Sequence, residues 1–144
     1  SRGLGDVYKR QVRNPYSIRP YQHVLEPLYV YLMIAKAQCE NIEFAGYYNV
    51  GPDECDCITT GDLVDLFCKE WGNGQAWKNV CNQGPHEAQF LKLDCSKLKN
   101  TFGWGPRWQI TEAVVKTVEW AKVYEQNDSI VDCMEKQIRL FMLG

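Results

Sequence analysis

An arginine held ahead of a proline, two histidines and seven cysteines are the groups in this 144-residue chain best suited to bind or react. Arg19 stands first in Arg19-Pro20-Tyr21-Gln22-His23-Val24-Leu25-Glu26-Pro27-Leu28, directly before a long apolar run. Pro20 restricts the backbone that leads into it. A guanidinium fixed in that way can offer a bidentate fork to a phosphate, each charge-assisted hydrogen bond contributing about 1.5–3 kcal/mol. It can equally pair a surface carboxylate, and spacing alone leaves both readings open. His23 opens the apolar run and is expected to be a hydrogen-bonded structural residue rather than a general base. Lys97, beside a helix-cap sequence, reads as solvated or packed rather than as an active amine, and Trp104, Trp108 and Trp120 read as core rather than a stacking platform.

The cysteines fall at 39, 55, 57, 68, 81, 95 and 133. An odd count with no secretory signal ahead of it argues for reduced thiols rather than a disulfide framework. Cys55-x-Cys57 resembles half of a zinc site, but a structural site needs a second close pair, and only His23 and His86 are on offer. The cysteines are therefore expected to act as small buried hydrophobes and no metal is expected.

With 45% apolar and 24% charged residues the chain can bury a core, and its length suits one compact domain, not a cofactor-binding sheet plus a separate substrate domain. A formal net charge of −2 with no basic stripe argues against a nucleic-acid partner. The longest apolar stretch, 28–35, is far shorter than the roughly 20 residues of a spanning helix, so the expectation is a cytoplasmic protein with no membrane partner.

The elements that must position these residues follow from periodicity and caps. Residues 23–38 leave almost no polar face and predict a helix buried on most sides, with Pro27 tolerated in its first turn. Ala45-Gly46-Tyr47-Tyr48-Asn49-Val50 predicts a short strand, stopped by Gly51-Pro52. Thr59 or Thr60 can cap a helix that ends at Gly72, and residues 76–80 and 89–93 predict a strand pair. Asp94 reads as the cap of a short helix ending at Gly103. Thr111 reads as the cap of another to about Tyr124, with Ile110 and Val115 at staple spacing. Ser129, with Asp132 three residues on, begins a last amphipathic helix bearing Ile130, Val131, Met134, Ile138, Leu140 and Phe141. No Gly-x-Gly-x-x-Gly turn is present to hold a dinucleotide, and none of the eight tyrosines begins a Tyr-x-x-x-Lys. The pattern is a helix-rich α/β piece that borders something larger.

Residues 1–11 have no apolar period and no cap. Asp6-Val7-Tyr8-Lys9-Arg10-Gln11 matches the translation of a transposon adaptor end, so 1–11 is read as a non-native sequencing scar and 12–144 as the lobe proper. Without Arg2, Lys9, Arg10 and Asp6 the formal charge moves from −2 to −4.

At the Arg19–Leu28 stretch the chain resembles the extended short-chain dehydrogenase/reductase superfamily, and within it the CDP-glucose 4,6-dehydratases, from whose pattern only Tyr21, in place of Trp, departs. The resemblance continues through Tyr48-Asn49-Val50-Gly51-Pro52-Asp53, Thr59-Thr60-Gly61-Asp62-Leu63-Val64, His86-Glu87-Ala88, Leu91-Lys92-Leu93-Asp94-Cys95-Ser96-Lys97 and Gly103-Trp104-x-Pro106-Arg107-Trp108, and covers essentially all of 12–144. It implies the C-terminal, substrate-binding lobe of such an enzyme, detached from its Rossmann domain. In the family a tightly bound NAD takes a hydride from C4 of CDP-glucose, water leaves across C5 and C6, and the hydride returns to C6, giving the 4-keto-6-deoxy sugar of deoxysugar and O-antigen biosynthesis.

The resemblance places Arg19 and Asn49 on the nucleotide-sugar pyrophosphate and Glu87 near the nucleotide ribose. A second phosphate-binding Arg common in relatives would fall near Gly84 and is absent, which leaves His86 as its substitute. Base and orienting lysine belong to the other lobe, as does NAD, so no catalytic residue is expected here and the piece alone is expected to be inactive. The parent is expected to be a homo-oligomer. Two other readings stay open: another NAD-dependent nucleotide-sugar epimerase or dehydratase, and a non-enzymatic helical interaction module. A last expectation is that the helix at 24–38 packs in the whole enzyme against the other lobe.

Overall fold

In a computed structural model of the chain, residues 10–12, 14–80 and 90–144 are described. Five helices carry the architecture: α1 (Leu25–Glu40), α2 (Thr60–Trp71), α3 (Ser96–Phe102), α4 (Ile110–Glu125) and α5 (Ile130–Leu143). Four three-residue strands accompany them: β1 (Arg10–Val12), β2 (Ile18–Pro20), β3 (Cys57–Thr59) and β4 (Trp77–Asn79). The expected helix-rich α/β piece with a few short strands is what forms.

The helix boundaries follow the cap chemistry closely. Thr59 accepts a hydrogen bond from the Asp62 amide at the start of α2, and its own hydroxyl donates to Asp62 Oδ2 at 2.6 Å. Ser129 does the same for the Asp132 amide at the start of α5. Gly103 closes α3 with φ +62°, in the left-handed region that a side chain disfavours, and its amide reaches Lys99 O at 2.8 Å. Two caps are displaced from expectation. Asp94 lies one residue before the cap position, taken by Cys95, yet its Oδ1 still accepts from the Ser96 amide at 2.9 Å. Gln109 rather than Thr111 precedes α4, so Ile110 is the first helical residue and is buried instead of stapling from outside.

The strands depart further from the sequence reading. Ala45–Val50 forms no strand: Ile42–Phe44 makes a 3-10 turn, and the residues after it have no ladder partner among the described residues. β4 does not pair with 89–93 but lies parallel to β1, Arg10 opposite Trp77 and Val12 opposite Asn79. Phe90 instead makes an isolated parallel bridge to Ile18, and Gln89 lies outside the described residues. β2 and β3 pair antiparallel, with Arg19 opposite Ile58. A strand forms only where a second backbone supplies the ladder, and local alternation cannot name that partner.

Two apolar clusters make the interior. One gathers Val30, Cys95, Leu98 and Trp104, with Met33, Ile34, Tyr48, Val50 and Phe102 packed on them. The other sets Ile110, Val114 and Val118 of α4 against Leu63, Leu66, Phe67 and Trp71 of α2, with Tyr21 and Ile58 at its edge. The expectation that α1 is buried on most sides is corrected: only Glu26 and Val30 are buried, while Val24, Leu28, Tyr31 and Leu32 are exposed, Leu32 at 73%. Among the described residues, the chain packs against one side of this helix only. α5 likewise buries Cys133, Gln137 and Phe141, leaving Val131, Met134 and Ile138 exposed. Among the described cysteines, Cys95 and Cys133 are buried as expected, whereas Cys39 and Cys55 are exposed. No cluster of possible metal ligands occurs among the described residues, and none of their helices is long and apolar enough to cross a membrane.

Candidate functional site

The chain reaches the site through β2. Ser17 Oγ lies 3.4 Å from Thr60 Oγ1, which in turn lies 2.7 Å from the Tyr21 hydroxyl, so both ends of β2 are tied to the start of α2. Arg19 stands between these anchors, its Nη1 donating to Ile18 O at 2.9 Å. In an antiparallel pair, directly opposed residues share a face, so Arg19 and Ile58 lie on the same side of the ribbon. The guanidinium is thus carried on backbone fixed at both ends, as a positioned anion ligand requires.

Asn49 lies on the extended segment after the 3-10 turn, exposed, with its Nδ2 donating to Asp94 O at 3.0 Å. Gln22, just past β2, donates from Nε2 to Val50 O at 3.4 Å. That bond lays the chain just past β2 beside Val50, the residue after Asn49. His86 and Glu87, with Cys81, lie outside the described residues.

Glu26 carries a role the sequence reading did not assign. Its side chain is fully buried, and Oε1 accepts from the amides of both Arg107 and Trp108, at 2.8 and 2.9 Å. Burial pushes its carboxyl above the usual glutamate range, while the two amides and the Arg107 charge pull it back. Its second oxygen, Gln22 Oε1 and Trp104 Nε1 are buried without a hydrogen-bond partner among the described residues. The signal for Glu26 was a lone acid in the first turn of a helix with almost no other polar residue, which implies a buried partner.

Around it, Arg107 lies over the Tyr29 ring at 4.5 Å and donates to Phe141 O at 2.7 Å, tying α5 to α1. His23 is buried, its Nδ1 accepts from the Leu25 amide at 3.2 Å, and its ring meets Trp108 edge-on at 4.8 Å. Burial, then the nearby Lys116 charge, hold it below the ordinary histidine value. It is the structural histidine expected. Trp104 is buried as expected, but Trp120 is corrected: it is partly exposed and stacks on Tyr124 at 5.7 Å. Lys97 packs over the Tyr48 ring and donates to Tyr47 O, the packing role expected of it.

No protein-family model matches the chain. Over 132 residues, 91% of its length, it is 40% identical to the CDP-glucose 4,6-dehydratase of Salmonella typhimurium. The chain is similar to a CDP-glucose 4,6-dehydratase. It spans 37% of that enzyme's length, so the resemblance carried by the Arg19–Leu28 motif is one to a part of the dehydratase. That relative is, as its name states, a 4,6-dehydratase of CDP-glucose.

Proposed function

We propose that the chain is the C-terminal, nucleotide-sugar-binding lobe of a longer CDP-glucose 4,6-dehydratase, the parent converting CDP-glucose to CDP-4-keto-6-deoxyglucose. The 40% identity to such a dehydratase along 91% of the chain carries the reading. In this reading Arg19 pairs the pyrophosphate, Asn49 assists it, and His86 and Glu87 meet phosphate and ribose. Residues 12–144 are the lobe and 1–11 a sequencing scar.

NAD would supply the transient oxidation at C4. The described residues hold no glycine-rich strand–turn–helix to cradle it, so the reading assigns NAD, the base and its orienting lysine to the rest of the parent. What this chain contributes is orientation. Arg19 fixes the diphosphate, and binding energy so used holds the sugar where the other lobe can act on it. The lobe alone would be inactive, and the parent is a cytoplasmic homo-oligomer in this reading.

Two measurements test the assignment. The full-length product, obtained by extending the coding DNA upstream, should remove the C6 hydroxyl from CDP-glucose; a product that only epimerises its substrate points to another member of the superfamily. In that enzyme Arg19→Ala should weaken CDP-glucose binding by about tenfold or more while leaving NAD binding within about twofold, the loss of one charge-assisted bond. Equal losses for both would end the phosphate role.

A further inference from the structure

Cys55 and Cys57 flank a single residue on a turn that feeds straight into the ribbon under Arg19. Glu54–Asp56 is a 3-10 turn, closed by the Asp56 amide on Asp53 O at 3.0 Å and by the Cys57 amide on Glu54 O. Cys57 both ends this turn and begins β3, where it lies opposite Pro20. Arg19, one residue along the ladder, lies opposite Ile58. A change in the shape of the turn is therefore passed directly to the backbone that holds the guanidinium.

Both thiols can be reached, Cys55 being exposed and Cys57 half-buried. Each has an ammonium within electrostatic range, Lys99 for Cys55 and Lys92 for Cys57. A neighbouring cation favours the thiolate, the form that attacks a disulfide. Those lysines are themselves tied to the turn, Lys99 by Asp53 and Lys92 by Glu54. Burial pushes the Cys57 thiol up, more than Lys92 pulls it down, so exposed Cys55 is the first to meet an oxidant and Cys57 is the resolving partner.

Residues two apart in a helical turn have Cα atoms about 5.5 Å from each other, inside the range of roughly 4.4–6.8 Å that a disulfide spans. With about three residues per turn, however, their side chains leave in different directions, so the sulfurs meet only when the turn unwinds. Closure also removes the contact in which Cys57 Sγ donates to Asp53 O at 3.7 Å. A bond that must unwind its own turn is strained, and strained, exposed disulfides are the readily reduced ones.

We propose that Cys55 and Cys57 are a reversible redox pair, oxidised by small-molecule disulfides, whose closure loosens the β2–β3 ribbon under Arg19 and so weakens binding of the diphosphate. The Cys55 thiolate attacks one sulfur of the external disulfide, forming a mixed disulfide and releasing one thiolate. Cys57, its proton passed to water, then attacks Cys55 Sγ and expels the second thiolate. Two protein thiols lose two electrons, and the external disulfide becomes two thiols that take up the two protons. The effect on the diphosphate rests on the proposed role of Arg19; the redox pair and the loosened ribbon do not.

The test equilibrates the full-length product with reduced and oxidised glutathione at fixed ratios. After alkylation and digestion, the peptide that carries both cysteines should be closed to alkylation in the oxidising samples and open again with excess reduced glutathione. Oxidation should speed amide exchange at residues 18–19 and 57–59 by about tenfold or more. It should also weaken CDP-glucose binding by about tenfold in the wild type, and by less than about twofold in Cys55→Ser. No closure at any ratio, a glutathione adduct that persists on Cys55, or a bond from either cysteine to a third would overturn the pair. Closure with unchanged exchange and unchanged binding would overturn its link to the ribbon. A reduced product that does not bind CDP-glucose overturns the proposed function instead, and alkylation and exchange then decide the redox pair without it.

Discussion

Glu26 stands inside the apolar run of α1 because two amides of the 104–108 turn point at it. Removing the carboxylate leaves two buried donors without an acceptor, each costing about 1–3 kcal/mol. Glu26→Ala should therefore lower the urea unfolding free energy by about 3 kcal/mol, whereas Glu26→Gln keeps an oxygen for both amides and should change it by less than about 1 kcal/mol. His23 gives a pH dependence of opposite sign to Glu26. Its folded pKa lies below its unfolded value, so its contribution is complete above that value and is lost as pH falls through the folded one; the raised carboxyl of Glu26 contributes at low pH and loses its effect as pH rises. In the Glu26→Gln background, stability should fall as pH drops below 6.5, and adding His23→Gln should flatten that slope. A slope unchanged by the second substitution would place the titrating group elsewhere.

At the scale of elements, chemistry written within four residues was legible. Thr59 with Asp62, Ser129 with Asp132, and Gly72 and Gly103 mark helix ends where the helices do end. Ser129→Ala should destabilise α5 by about 1 kcal/mol and speed exchange of its first amides, since the Asp132 amide loses its acceptor. Pairings were not legible in the same way. β4 found β1, and Ala45–Val50 has no partner among the described residues, because a ladder depends on which distant backbone arrives. Periodicity also overstated the burial of α5. Gln137 lies inside because its amide donates to Lys116 O and Glu119, while Met134 and Ile138 stay exposed.

Across the whole molecule, two of the passages that link the clusters lie against each other. The chain from Tyr21 to Val30 runs from the α2–α4 cluster to the α1–α3 cluster, and the chain from Trp104 to Ile110 returns. Glu26, His23 and Trp108 pin the two passages where they meet. With α1 uncovered on one side, the 144-residue chain alone should bind a hydrophobic dye and self-associate at micromolar concentration. A monodisperse, dye-silent monomer that unfolds cooperatively would contradict that expectation.

Read alone, the sequence determined the helix-rich class, the helix ends, the reduced role of His23 and the resemblance carried by Arg19–Leu28, all of which are written in short-range spacing. Tertiary structure alone decided that Glu26 is the pin, that Gln22 reaches Val50, and that one side of α1 is uncovered among the described residues. Those depend on which groups a folded backbone brings together or fails to cover, and no local pattern encodes a partner 80 residues away or one outside the chain.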